Sequence, residues 1–245
     1  MSIKTRSKYS QDLGWLHSIL DQKGFIKDLS PLYDSIEKCK KAPYGKDFLW
    51  GHEMYKLNFG PIQSLKKIRP KGYKNLQLLL SVKCIGLCSD EPQHDNVTEL
   101  RFDLNVSGED KNRQKVITAW HLDCHIINEE DGDPEHCHPL YHFQQGGDTI
   151  LDVYESDEYN FGTALFLESP RLTYPPMDIV LGINFVLSQF YGNHWKEVLK
   201  EPKYNSLIRE SQQRLWKPYF SKIQSYFDSP HMHEPAKLLM PDLFN

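Results

Sequence analysis

The stretch "AWHLDCHIINEEDGDPEHCHPLYHFQQGG", residues 119 to 147, carries five of the chain's eleven histidines and two of its five cysteines. Imidazole, thiolate and carboxylate are the donor groups of zinc, manganese and iron sites. A histidine beside a carboxylate is also the pair used in general acid–base chemistry. Whether these groups converge depends on the elements that carry them.

Around this stretch the hydrophobic period is 2, as in strands. "LQLLLSVKCIGLC" (76–88), "NVTELRFDLNV" (96–106), "QKVITAWHLDCHII" (114–127), "HPLYHFQQ" (138–145) and "TALFLES" (163–169) read as five strands, and "SGEDKN" (107–112) as a hairpin loop. The short connections suit an antiparallel meander. Alternation places Trp120, Leu122, Cys124 and Ile126 on one face of their strand, with His121, Asp123 and His125 on the other. In the next strand Tyr141 and Phe143 share a face, and His138, Leu140, His142 and Gln144 the opposite one.

Keeping the apolar sets together fixes a register. Asp123 then lies opposite His142, Leu122 opposite Phe143, Cys124 opposite Tyr141, His121 opposite Gln144 and Ile127 opposite His138. Pairing Phe102 with Thr118 in the preceding hairpin puts Leu100 opposite Trp120 and Glu99 opposite His121. One sheet face would then carry Glu99, Arg101, Asp103, His121, Asp123, His125, His142 and Gln144.

Three chemistries fit that face. The candidate metal ligands are His121, Asp123, His125 and His142, for zinc, manganese or iron. His121 and His125 stand about 13 Å apart along a strand, so they cannot share one ion; Asp123 and His142 with one of the two can. A second set, Cys124, His136, Cys137 and His138, lies near the loop end, although Cys124 should point to the core. No CxxC or HExxH spacing is present. An enzyme without a metal would draw its catalytic groups from His121, Asp123 and His142, a histidine acting as general base oriented by Asp123 or Glu99; Arg101 would hold an anion, and Glu99 and Gln144 complete the substrate-binding set. The third reading is a solvated face of cross-strand charge pairs without chemistry. "QQGG" (144–147) reads as a turn or bulge, and "NEEDGDPE" (128–135) lacks EF-hand spacing for calcium.

Helical patterns flank the strands. In "QDLGWLHSILDQKG", Leu13, Leu16, Ile19 and Leu20 recur at helical spacing, with Gly24 as a stop. Ser30 reads as an N-cap with Pro31 at the first helical position. Residues 43–74 are punctuated by Gly, Pro and aromatics and read as a surface wrap, ending in the basic loop Lys66, Lys67, Arg69, Lys71 and Lys74. After the sheet, "MDIVLGINFVLSQFYG" predicts a buried helix ending at Gly192. An amphipathic helix follows, with Leu207, Ile208, Leu215, Trp216, Tyr219, Phe220, Ile223 and Phe227 as its stripe and a kink or break at Pro218. The expected architecture is a single α+β domain, residues 1–245: an N-terminal helical and irregular part (1–74), a meander of about five strands (75–170), helices on one sheet face (171–228) and a tail (229–245).

Helix, meander, "YPP" (Tyr174, Pro175, Pro176) and C-terminal helices resemble, in topology alone, ubiquitin-conjugating-type and RWD-type domains. "HPL" (138–140) precedes "YPP" here, the reverse of that family's order, and no cysteine follows residue 137. The chain is not assigned to it.

Net charge is −4 and the pI about 6.3, which argues against bulk nucleic-acid binding. Five cysteines without framework spacing fit a reducing compartment, and Cys84 and Cys88 read as core packing. The absence of an apolar N-terminal segment and of any run of about 20 apolar residues predicts a cytoplasmic protein without a membrane partner. Aromatics make up 12% of residues, and such residues are enriched at interfaces. The tail "LLMPDLF" could dock into a partner or fold back on its own body, the favoured outcome. The reading preferred on sequence is an accessory or adaptor protein in a multi-protein complex. The alternatives are a metal-dependent hydrolase, including a phosphodiesterase or nuclease, and a small-ligand sensor.

Overall fold

The computed structural model describes residues 2–62, 72–88, 96–124, 138–147, 150, 153, 159, 170–228 and 233–241. Two helices, α1 (Ser2–Lys23) and α2 (Ser30–Cys39), precede six strands: β1 (Leu49–Pro61), β2 (Lys74–Leu87), β3 (Val97–Glu109), β4 (Lys115–Cys124), β5 (Tyr141–Gln145) and β6 (Leu172–Thr173). Four helices follow: α3 (Ile179–Phe190), α4 (Gly192–Val198), α5 (Pro202–Asp228) and α6 (His233–Leu239). The strands form one antiparallel sheet in the order β1-β2-β3-β4-β5-β6. This is the expected α+β architecture with one strand more. The sequence-predicted strand 163–169 lies outside the described residues.

Two of the six strands were not expected: the two-residue β6, and β1, which falls in the segment read as a surface wrap. Its alternation changes phase midway: Trp50, His52 and Met54 point inward, then Leu57 and Phe59. The switch occurs at Lys56, which has φ +54 and donates its N–H to Ser81 Oγ at 2.9 Å, where the β1–β2 register shifts. A bulge of this kind moves every later side chain to the opposite parity. β1 is an edge strand, so Pro61 is tolerated there.

The helices cover one sheet face. Gly24, at φ +67, closes α1 by donating to Leu20 O. At the start of α2 it is the Asp28 carboxylate that accepts the Ser30 N–H, at 2.9 Å, and Leu29 occupies the cap position rather than Ser30. α3 begins with Asp178 accepting from Leu181 N–H and lies directly on the sheet at Gly182. A Cβ there would sit 3.1 Å from the Phe102 ring and 3.3 Å from Val82 Cγ2. α3 ends at Phe190, and Gly192 opens α4 instead of closing α3.

α5 runs through Pro218 as one helix, where a kink or break was expected. Pro218 is buried, and its neighbours Leu215 and Tyr219 are buried too, so tertiary packing offsets the lost backbone hydrogen bond. Of the expected stripe, Phe220 and Phe227 face outward, while Tyr204 and Ser211 take inward positions. In α6, Ala236 and Leu239 are buried, and Leu140 N–H donates to Leu238 O at 3.0 Å. The tail therefore folds back beside the segment leading into β5. Cys84 is fully buried in the core, with Cys88 and Cys124 packed against it. Burial pushes the Cys39 thiol up to about 12, so it packs rather than reacts. No disulfide links the cysteines among the described residues.

Candidate functional site

The β4–β5 pairing brings His121, Asp123 and His142 together on the face turned away from the helices. Asp123 lies opposite His142, His121 opposite Gln144, Leu122 opposite Phe143 and Cys124 opposite Tyr141, as the apolar pattern predicts. The pairing of Ile127 with His138 lies outside the described residues, as do His125, His136 and Cys137.

The β3–β4 hairpin differs from expectation by four residues. Phe102 lies opposite Leu122, Leu104 opposite Trp120, Asp103 opposite His121 and Arg101 opposite Asp123. The turn is tighter and later than "SGEDKN": Asp110 accepts from Asn112 N–H at 2.7 Å and Gln114 N–H at 2.9 Å, and Arg113 adopts φ +66. Gly108 therefore lies within β3. A Cβ there would meet Leu76 Cδ2 at 2.6 Å and Lys74 O at 2.7 Å, so only glycine fits against β2. A four-residue shift keeps the faces and changes the neighbours. Asp103, not Glu99, is the carboxylate beside His121. Glu99 pairs with Lys83 and accepts from Tyr44 Oη–H at 2.6 Å, which holds its carboxyl below the usual range against the opposing effect of burial.

The three ligand-type atoms of His121, Asp123 and His142 all lie within 4.8 Å of one another. His142 Nε2 stands 3.1 Å from Asp123 Oδ1, and the His121 and His142 rings meet edge to face at 5.7 Å between centroids. His142 is 3% exposed, whereas His121 and Asp123 are half-buried. His138 packs edge-on against His142 at 4.5 Å between centroids, outside the converging set. Ligands on a common ion at 2.0–2.2 Å stand roughly 3.5 Å apart in tetrahedral geometry, so contraction by side-chain rotation closes the set. The group can hold a metal ion.

Gly146 and Gly147, at φ +91 and +70, turn the chain back over this face. Gly146 N–H donates to Ala119 O at 2.8 Å, and Ala119 and Gln144 are buried beneath the turn. A Cβ on Gly147 would lie 2.5 Å from His121 Cε1 and 2.6 Å from its Nδ1. The backbone thus seats the imidazole from one side, a close approach that glycine alone permits.

Arg101 donates from Nε to Asp103 Oδ2 at 2.7 Å, with its side chain 68% exposed. The polar face is a mixture: a buried His142 and Gln144, a half-buried His121 and Asp123, and beside them on β3 an exposed Arg101 flanked by Glu99 and Asp103. Among the described residues no helix is long and apolar enough to cross a membrane. No family model, curated protein or solved structure matches the chain.

Proposed function

We propose that the chain is a metal-dependent hydrolase whose ion is held by His121, Asp123 and His142. The convergence of two imidazoles and one carboxylate within 4.8 Å supports this reading. Two neutral nitrogens and one anionic oxygen suit zinc, manganese and ferrous iron. Three protein ligands leave coordination positions for water and substrate, the arrangement of catalytic rather than structural sites. An ion held there would lower the pKa of its bound water toward about 7 and polarise a bound ester. Buried His142 fixes the ligand frame, and the half-buried His121 and Asp123 leave a path for water.

An adaptor role draws on exposed aromatics such as Tyr33, Tyr44 and Tyr55. Its other support, the apolar tail, is occupied at Ala236 and Leu239 by the chain's own packing. The test is hydrolysis of chromogenic esters by the full chain after chelation and after addition of zinc, manganese or ferrous ion. Turnover that requires one of these ions and is abolished in His142→Ala supports the hydrolase. A stoichiometric ion with no turnover of any ester supports a ligand sensor instead. Absence of both leaves the adaptor.

A further inference from the structure

The open sheet face carries a row of charges that leads away from the metal group. Across five strands Glu53, Lys83, Arg101, Asp123 and His142 are successive register partners. Neighbouring strands stand about 4.8 Å apart, so the Arg101 backbone is one strand from Asp123 and that of Lys83 is two. Lys83 and Arg101 are like charges placed directly opposite each other, which by itself disfavours the pairing. Each is engaged laterally, Lys83 by Glu99 and Arg101 by Asp103. The Arg101 side chain is 68% exposed, and a pair with so exposed a partner is weak and exchanges with an incoming anion.

Beyond Lys83 stand Glu53, which is paired with Lys38 at 3.0 Å, and an aromatic ring. Tyr44 accepts from Lys83 Nζ at 2.9 Å, lies under it at 5.4 Å from the ring centroid, and is 66% exposed. It adopts φ +53, a conformation that non-glycine side chains seldom take. The order across the face is therefore metal group, guanidinium and ammonium, with Glu53 and the Tyr44 ring beyond.

We propose that this row binds a phosphate ester, with its phosphoryl group between the metal group and Arg101 and its organic part toward Lys83 and Tyr44. The inference rests on the hydrolase reading and names its substrate class. A phosphoryl group in transfer spreads charge over three equatorial oxygens, which metal and guanidinium answer together. A neutral acyl ester develops charge on one oxygen only and would leave Arg101 and Lys83 idle. In the reaction a water on the ion loses a proton to solvent and attacks phosphorus. The bond from phosphorus to the ester oxygen breaks, its electron pair stays on the leaving oxygen, and that oxygen takes a proton from solvent. The products are an alcohol and inorganic phosphate from a monoester, or an alcohol and a phosphate monoester from a diester.

The experiment uses the full chain loaded with the ion it retains best. p-Nitrophenyl phosphate, bis(p-nitrophenyl) phosphate and p-nitrophenyl acetate are compared, and inorganic phosphate binding is followed by calorimetry. The expected result is turnover of a phosphate probe well above that of the acetate. Arg101→Gln should raise KM for the phosphate probe and weaken phosphate binding by about tenfold or more, with metal content unchanged. Arg101→Lys should recover part of that loss. Preference for the acetate, or an Arg101→Gln variant that binds phosphate normally, overturns the substrate class and leaves the metal hydrolase intact. An ion-loaded protein that hydrolyses none of the probes removes both readings.

Discussion

Arg214, Asp12, Asp178 and Ser211, gathered among the helices, and His121, Asp123 and His142, gathered on the open sheet face, are both clusters of ionisable groups. In the first, the Arg214 guanidinium reaches Asp12 at 3.1 Å, Asp178 at 3.3 Å and Ser211 at 2.8 Å, and Ser211 donates to Asp178 at 2.7 Å. Lys8 adds a second cation to Asp12, and Asp178 also caps α3. The guanidinium stacks on Tyr9 at 4.3 Å, whose ring lies on Trp50 at 4.5 Å. Each carboxylate there is answered by a guanidinium and by a further donor. On the sheet face, two imidazoles and a carboxylate point at a common volume, half in contact with water. The difference teaches that charge convergence alone does not mark a site. One cluster closes on itself and ties α1, α3 and α5 together; the other brings three ligand-type atoms within 4.8 Å of one another, a set that could hold an ion.

The comparison can be broken first at the closed cluster. Arg214→Met removes the cation shared by two buried carboxylates and should cost about 3–5 kcal/mol in denaturant unfolding. Metal retained per folded molecule should not change. A loss of metal at full stability would mean that the two clusters had been assigned the wrong roles.

A second, somewhat smaller effect concerns His52, buried beside Tyr9 and Trp50. Burial pulls its pKa down from the ordinary 6.5 to about 4. Between those values the unfolded chain binds a proton that the folded chain does not, so stability falls as pH drops from 6.5 toward 4. The loss from this group is on the order of 3 kcal/mol. His52→Gln should flatten that slope in melts at pH 7 and pH 4.5. An unchanged slope would remove His52 as its source.

The smallest effect on stability, and the sharpest on the open cluster, is expected at Gly147. Gly147→Ala should cost only about 1 kcal/mol for its positive φ. Its Cβ would displace the His121 ring, so ion affinity should fall by tenfold or more while the fold persists. Unaltered ion binding would show that the backbone does not seat the imidazole.

Much of this was legible in the residues. The Asp123–His142 pairing followed from keeping Leu122 with Phe143 and Cys124 with Tyr141, because a one-residue slip would bury the polar set. Alternation likewise put His121 and Asp123 on one face. The neighbouring hairpin was not legible: Gly108 reads as a turn residue, and only its close approach to β2 shows that it lies within β3 and that the turn falls at Asp110. β1 was hidden by its own bulge at Lys56, which breaks the period of 2. The continuation of α5 through Pro218 reflects packing that no local propensity encodes. The two clusters divide in the same way, since Arg214 meets Asp12 and Asp178 only through the fold.

The most direct test of the central claim is calorimetric titration of zinc, manganese and ferrous ion into chelator-treated protein, repeated with His121→Ala and Asp123→Ala. Binding of one equivalent, with a rise in Tm, and its loss in both variants at little cost to the metal-free fold is the predicted result. An ion bound equally well by both variants, or no binding at all, would contradict a metal centre on this face.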